Sequence, residues 1–276
     1  MKSFLNIFSS GFFQRPVFFR SVALILFSLL LFPVVAQELT VMTYNIYHGE
    51  HAEHAGESNL EEVAAVINEY QPDLVALQEV DSMTQRSASL QQGCPVDQVK
   101  ELAGMTGMYG YFGKTMDFDN GGYGSGILSR KQGDLDVHRL PVRSGDEPRG
   151  LMILAFEIDG HNILFASTHL SHESAKTRIM QADAICQIFE KKELPVILGG
   201  DFNFNPRSEP YNVLLNCFKD TSDGEEEPKS TFPSDTPERR IDYVFASEDR
   251  NWRVKDVKVI DCEVSDHLPV LVTLEL

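Results

Sequence analysis

Short apolar runs in this chain repeatedly end in residues able to hold a metal ion or move a proton, and that recurrence constrains the fold more than any bulk property. Leu74-Val75-Ala76-Leu77 delivers Gln78-Glu79, and Asn162-Ile163-Leu164-Phe165-Ala166-Ser167 leads into Thr168-His169. Leu194-Pro195-Val196-Ile197-Leu198 runs through two glycines into Asp201-Phe202-Asn203. A continuous apolar run of this kind, bounded by turn formers, suits a strand buried on both faces. The alternating segment Leu39-Thr40-Val41-Met42-Thr43-Tyr44-Asn45 reads as a further strand, passing into a polar loop from Tyr47 to Glu57. Taken singly, such a glutamate is a solvated strand end and such a histidine a satisfied structural group. Packing does not account for the set, because a buried carboxylate or imidazole is strongly unfavourable unless paired or metal-bound. Their convergence implies one polar site at the rim of stacked sheets.

Helical patterns intervene between these strands. Asn59, with Glu62 three residues on, forms a candidate helix cap ahead of Val63, Val66, Ile67 and Tyr70, and Gln71-Pro72 stops the helix. Ala175, Ile179, Ala182, Cys186 and Phe189 give one apolar stripe along a helix predicted across Glu173 to Lys192. Strands return over Ile241 to Ala246, Trp252 to Ile260 and Leu268 to Leu276, with Trp252, the only tryptophan, read as core. The order implies an α/β sandwich of stacked sheets with helices outside.

Lys2, Arg15 and Arg20 precede an apolar run from Val22 to Phe32 that ends in Val34-Val35-Ala36-Gln37. That anatomy predicts a secretory signal over residues 1–36, cut after Ala36, since a spanning helix needs about 20 apolar residues. An uncleaved membrane anchor is the alternative. Residues 37–276 suffice for one domain, with no linker or internal repeat to divide them. The formal net charge is −17, and the signal carries three basic and no acidic residues, so the exported chain stands at −20. A surface of that sign disfavours tight nonspecific nucleic-acid binding, which draws on Lys and Arg neutralising phosphates. The acidic run Asp223 to Glu227 reads as a solvated loop. Four cysteines, at 94, 186, 217 and 262, have no zinc or redox spacing. Export permits disulfides and leaves the pairing open, while Cys186 on its helical stripe reads as a core residue.

Two motifs are more pointed. In Gly199-Gly200-Asp201-Phe202-Asn203 the glycines permit close approach, and an extended segment projects residues 201 and 203 to one side, with a capped turn as the alternative. In Ser265-Asp266-His267-Leu268-Pro269 the acid and imidazole face apart if the segment is a strand. They serve one site only from a turn, which Pro269 favours.

The ordered set Thr43-Tyr44-Asn45, Leu77-Gln78-Glu79-Val80, Ser167-Thr168-His169, Gly200-Asp201-Phe202-Asn203, Arg240-Ile241-Asp242-Tyr243 and Ser265-Asp266-His267 resembles the endonuclease/exonuclease/phosphatase superfamily across residues 37–276. The resemblance implies a four-layer α/β/β/α sandwich, two mixed β-sheets packed face to face with helices outside, and a Mg²⁺ site at one edge. It implies that Glu79 is the main metal carboxylate, assisted by Asn45, with Asp266 touching the metal. By the same similarity, Asp201 and Asn203 position or activate the attacking water, and His267 is a base or phosphate-contacting imidazole partnered by Asp242. His169 steadies the phosphoryl oxygens or protonates the leaving group. Such a set of oxygen ligands selects a hard ion, Mg²⁺ with Mn²⁺ as a substitute.

Arg86 and Arg149 are candidate phosphate clamps, with a surface or packing role as the alternative. His48, His51 and His54 crowd the loop after Asn45 and are read as a solvated loop facing the cleft, not as ligands. The superfamily hydrolyses DNA, RNA, inositol phosphates and sphingomyelin, so fold does not choose the ester. Charge and export disfavour duplex-DNA repair, and Pro237-Glu238-Arg239-Arg240-Ile241-Asp242 lacks the signature of inositol polyphosphate 5-phosphatases. The expected activity is metal-dependent hydrolysis of a small or lipid-linked phosphodiester or a sugar phosphate, with membrane lipid as a contact if the ester is lipid-linked. No obligate protein partner is expected. An exported nuclease is the competing enzyme, and a non-catalytic phosphate-binding module the competing class.

Overall fold

The computed structural model describes residues 38–158, 160–225, 229–248 and 252–275, so the predicted signal over residues 1–36 lies outside the described residues. One sheet holds β1 (Glu38–Asn45), β2 (Leu74–Ser82), β3 (Tyr109–Phe118), β4 (Gly121–Ser129), β11 (Arg253–Val259) and β12 (Val270–Glu275), in the order β11-β12-β1-β2-β4-β3. The other holds β5 (Asp134–Arg139), β6 (Gly150–Ile158), β7 (His161–His169), β8 (Val196–Asp201), β9 (Phe218–Asp220) and β10 (Asp242–Ser247), in the order β5-β6-β7-β8-β10-β9. Both are mixed: β1 runs parallel to β2 and antiparallel to β12, while β7 runs parallel to β8 and antiparallel to β6.

The alternation of side chains along each strand explains the layering. On β2, Leu74 and Ala76 enter the core between the sheets, where they join Phe165, Ile197, Val244 and Val272. Val75 and Leu77 point the other way, into a core shared with α1 (Leu60–Tyr70) and α3 (Gln98–Thr106). On β7 and β8, Ile163, Phe165 and Ile197 face the first sheet. Leu164, Ala166, Val196 and Leu198 pack toward α4 (Ala175–Glu190) and α5 (Glu209–Leu214). The result is the α/β/β/α sandwich, and strands covered on both faces account for the continuous apolar runs. Among the described residues no helix is long and apolar enough to cross a membrane.

Three local expectations are corrected. Asn59 does sit at the N-cap of α1, but its side chain makes no capping bond. Its Nδ2 instead lies within hydrogen-bonding reach of the carbonyls of Ile46, Glu50 and Val264 at 2.9 to 3.1 Å. The helix is carried by its buried stripe of Leu60, Val63, Ala64 and Ile67. The stripe of α4 is rotated from the predicted one: Thr177, Gln181, Ala182, Ile185 and Phe189 are buried, and Ala175 is exposed. The polar members bring partners for their oxygens, Gln181 Oε1 accepting from Ser171 N at 2.9 Å and Thr177 Oγ1 donating to Asp146.

The third concerns Cys186, which is not a plain core residue: it is bonded to Cys217, ahead of β9, across 31 positions, while Cys94 and Cys262 are free thiols. In the chain-entropy account, closing a loop of that length is worth about 3–4 kcal/mol. Reducing the bond is therefore expected to lower the urea midpoint by a corresponding amount, read from unfolding curves with and without a thiol reductant. An unchanged midpoint would mean the link contributes nothing to stability.

Candidate active site

The registers of the two sheets assemble the site. In the second sheet His169 pairs with Asp201 across β7 and β8, and Asp201 pairs with Asp242 across β8 and β10, so three chemically active residues stand abreast on adjacent strands. In the first sheet Asn45 pairs with Gln78, and the next residue, Glu79, falls where the β2–β4 register slips between Leu77 and Val80. Glu79 has a φ of 56° and Asn203 one of 52°, the left-handed region that non-glycine residues rarely occupy. A bulge of this kind re-aims a side chain out of the alternating pattern. Gly199 lets the two sheets meet here, and Gly200 lets β8 lie close against β7. A Cβ on Gly199 would stand 3.0 Å from Ala76 Cβ, and one on Gly200 2.4 Å from the carbonyl oxygen of Thr168.

Asp201, His169 and His267 are buried around a cleft of about 280 Å³ lined also by Glu79, Asn203, Asp266 and Arg149. Asn45 Nδ2 donates to Glu79 Oε1 at 3.0 Å and to Asp201 Oδ2 at 3.1 Å, joining the two sheets' carboxylates. Its Oδ1 accepts from Tyr47 N at 3.1 Å, which fixes the amide as a tie and leaves that oxygen a second lone pair. The expectation that residues 201 to 203 run extended fails: Asn203 N donates to Asp201 Oδ1 at 2.9 Å, closing the capped turn. That turn still returns the Asn203 amide to within 3.1 Å of His169 Nε2.

His267 Nδ1 lies 2.9 Å from Asp242 Oδ2, and its Nε2 faces Asp201 Oδ2 at 3.7 Å. Thr231 Oγ1 donates to the same Asp242 oxygen at 2.6 Å. Asp266 and His267 come from a turn, not a strand. That turn is held by Ser265 Oγ, which donates to Asn45 O at 2.7 Å. Burial alone would lower the His267 imidazole, but Asp242, Asp201 and Asp266 outweigh it and raise it well above the ordinary range. Asp201 is likewise pushed up, by burial first, against the pull of His267 and with the Asp242 charge adding to the rise. Burial pushes Asp266 up, opposed by His267 and reinforced by Glu79 and Asp242. Burial also opposes ionisation of Glu79, yet the neighbouring His48, the Asn45 amide and the surrounding imidazoles hold it below the usual carboxylate range.

The two arginines part ways. Arg86, expected as a phosphate clamp, is committed to buried Asp81 through Nε at 2.8 Å and Nη2 at 2.9 Å, and stacks 4.5 Å above Phe118. It does not line the cleft with Arg149; it braces Tyr123, a cleft residue that carries no sequence signal. Arg149 is 4% exposed, and its Nη1 and Nη2 lie 2.7 and 3.0 Å from the Nδ1 atoms of His169 and His172. A guanidinium only donates, so both Nδ1 atoms accept and His169 carries its proton on Nε2. Burial and the Arg149 charge hold His169 well below the ordinary imidazole range, which makes it a neutral N–H donor facing Asp201 Oδ2 at 3.4 Å. Lysine cannot span both rings, so Arg149→Lys is expected to lower kcat/KM about 10- to 100-fold through misplaced imidazoles. A loss below about threefold in steady-state kinetics would remove that bracing role.

The profile of the Endonuclease/Exonuclease/phosphatase family matches residues 42–267, from β1 to His267. The chain belongs to that family. Among solved structures of this fold it is similar to an endonuclease/exonuclease/phosphatase family protein from Bacteroides thetaiotaomicron, at 22% identity over 87% of this chain and 96% of that one, with a TM-score of 0.72. A mannosyl-6-phosphatase from the same species is also 22% identical over 86% and 99% of the two chains, with a TM-score of 0.66. The catalytic domain of human Nocturnin, solved with a bound sulfate, is 21% identical over 86% and 93%, with a TM-score of 0.65. A comparison with curated protein sequences finds no match.

Members of the endonuclease/exonuclease/phosphatase family are divalent-metal-dependent phosphoesterases, and the residues here fit an ion. Glu79, His169 and Asp201 offer ligand atoms within 4.8 Å of one another, as do Asp201, Asp242 and His267. The carboxylates of Glu79, Asp201 and Asp242 supply the anionic oxygens in these two sets. The fit therefore rests on the carboxylates. Of the sequence-derived set, Glu79, Asp266, Asp201, Asn203, His169, His267 and Arg149 converge on the cleft, with Asn45 and Asp242 behind them.

Proposed function

We propose that this chain is an exported Mg²⁺-dependent phosphoesterase that hydrolyses the ester of a small alcohol, a sugar phosphate first and a small or lipid-linked phosphodiester second. The observation that carries the reading is the compact cleft of about 280 Å³, in which Asp201 stands between Asn203, His169 and the His267–Asp242 pair. That volume lies just below the usual range of small-molecule pockets and suits a phosphate with a short leaving group. The fold shared with a mannosyl-6-phosphatase supports the sugar phosphate, and the Cys186–Cys217 bond supports export to an oxidising compartment.

Glu79 would hold the ion, with Asp266 beside it. Bound there, Mg²⁺, or Mn²⁺ in its place, supplies charge neutralisation at the phosphoryl oxygens. The chain's own residues do the remainder. Asp201 accepts the proton of the attacking water while the Asn203 amide orients it. His169 donates its Nε2 hydrogen to a phosphoryl oxygen, and imidazolium His267, anchored by Asp242, places positive charge on the same group. Water's oxygen bonds to phosphorus as its proton passes to Asp201, the ester P–O bond breaks, and the departing alkoxide takes a proton from solvent, to which Asp201 then returns its own. Of the two arginines among the described cleft residues, Arg149 braces histidines, and Arg239 alone is an exposed arginine there, which disfavours a polynucleotide track.

The test is hydrolysis by the purified protein of mannose 6-phosphate, p-nitrophenyl phosphate, bis-p-nitrophenyl phosphate, sphingomyelin and plasmid DNA, each with Mg²⁺ and with chelator. Metal-dependent cleavage of the small esters is expected. Cleavage of plasmid alone would establish the nuclease instead, and binding without turnover of any substrate the non-catalytic module.

A further inference from the structure

Gathered by sequence with two loop histidines, His48 is built into the structure quite differently from either. His51 and His54 stack on each other at 4.6 Å, with His51 Nε2 3.4 Å from Glu62. His48 lies between two carboxylates: its Nε2 is 2.9 Å from Glu50 Oε2, and its Nδ1 faces Glu79 Oε2 at 3.7 Å. The first distance is a hydrogen bond, and an ionised carboxylate only accepts, so Nε2 carries a proton. The second is too long for a hydrogen bond. It leaves Nδ1 and a Glu79 oxygen facing each other without a direct bond. Two donors 3.7 Å apart can each reach a common divalent ion at a bond length of about 2.0–2.2 Å.

The backbone around His48 is constructed to hold that position. Tyr47 and His48 have φ values of 51° and 46°, consecutive left-handed non-glycine residues whose cost the surroundings must offset, and Gly49 follows at 80°. A Cβ on Gly49 would stand 2.3 Å from Gln98 Nε2, which donates to His48 O at 2.6 Å. Gln98 Oε1 accepts from Asp81 N at 2.8 Å, just beyond the bulge that presents Glu79. Asn59 Nδ2 reaches the carbonyls of Ile46 and Glu50 on either side of the strained turn. Strain held by buried amides beside an active-site carboxylate is the usual mark of a positioned functional group. A carboxylate on the far nitrogen of an imidazole is the arrangement that fixes a metal-binding histidine's tautomer.

We propose that His48 is a nitrogen ligand of the divalent ion held by Glu79, with Glu50 orienting it through Nε2. This rests on the reading of Glu79 as the metal carboxylate and deepens it. A nitrogen ligand shifts preference from Mg²⁺ toward Mn²⁺ and later first-row ions. Asn59 and Gln98 then serve as the frame of a metal loop.

The test is binding of Mn²⁺ alone to the purified protein, followed by electron paramagnetic resonance, in the wild type, His48→Asn, Glu50→Gln and Glu79→Gln. Asparagine tolerates the left-handed backbone at position 48, so the variant keeps the turn, and an unchanged thermal midpoint confirms it. His48→Asn is expected to weaken Mn²⁺ about 10- to 100-fold, the loss for Mg²⁺ measured by competition being smaller, and to abolish nitrogen hyperfine coupling to bound Mn²⁺. Glu50→Gln is expected to weaken Mn²⁺ several-fold with the coupling retained. Wild-type affinity or persistent nitrogen coupling in His48→Asn, while Glu79→Gln loses the ion, overturns the His48 assignment and leaves Glu79 as the metal carboxylate. Failure of the wild type to bind Mn²⁺ at all overturns both.

Discussion

Asp201→Asn is expected to reduce kcat about 10³-fold, within the range for loss of a general base, with KM changed by less than about threefold. The substitution is nearly isosteric, and a side-chain oxygen remains to accept from Asn203 N, so the turn behind β8 is retained. What is lost is Oδ2, which accepts from Asn45 Nδ2 at 3.1 Å and faces His169 Nε2 at 3.4 Å and His267 Nε2 at 3.7 Å. An amide nitrogen in its place can take no proton from water and turns a donor toward donors. The accompanying stability cost is about 1–3 kcal/mol for polar groups left without an acceptor, so near-ultraviolet circular dichroism must accompany the kinetics. A folded variant whose kcat stays within about tenfold of wild type would exclude Asp201 as the base.

Glu79→Gln is expected to be comparably damaging by a different route. Oε1 accepts from Asn45 Nδ2 at 3.0 Å and Oε2 faces His48 Nδ1 at 3.7 Å, so a neutral amide must give up the Asn45 bond or present its NH₂ to the ion. Loss of a carboxylate held below the usual range should weaken divalent-ion affinity more than about 100-fold and lower kcat on the order of 10³-fold at any attainable metal concentration. Glutamine carries the same backbone demands at a φ of 56°, which separates the electrostatic effect from strain. Calorimetric titration decides it. Wild-type metal affinity with low kcat would move Glu79 from metal binding to another catalytic task.

How much of this was legible depended on what kind of signal each residue leaves. The strands that end in Glu79, His169 and Asp201 were readable because burial on both faces demands uninterrupted apolar sequence up to the point where chemistry begins. β3, β4 and β5 carry no such signal. β4 runs Gly121-Gly122-Tyr123-Gly124-Ser125-Gly126, where close backbone approach replaces apolar side chains, and β5 is largely exposed. Turn placement of Asp266-His267 followed from the chemistry of the pair. The departure of Asn203 from extended backbone did not, because an asparagine suits both conformations. Arg86 and Arg149 looked alike in sequence, and only their partners, a buried aspartate for one and two imidazoles for the other, separate them. Asn59 carried a helix-cap pattern that the fold spent elsewhere. The cysteine pairing depended on the approach of α4 to the segment after α5, information that spacing does not contain.

The Asn59 amide has a kinetic implication. Its nitrogen spans Ile46 and Glu50 near the start of the described chain and Val264 near its finish, the last contact bridging 205 positions, and β1 is zipped to β12 along the same flank. Contacts this distant in sequence form late, after the loop-closure cost of the intervening chain has been met. The two sides of the catalytic cleft are therefore brought into register only when the final strand has docked. A chain in which β12 has not yet docked on β1 carries its acids and imidazoles but no assembled site, and so is silent toward the phosphate esters around it.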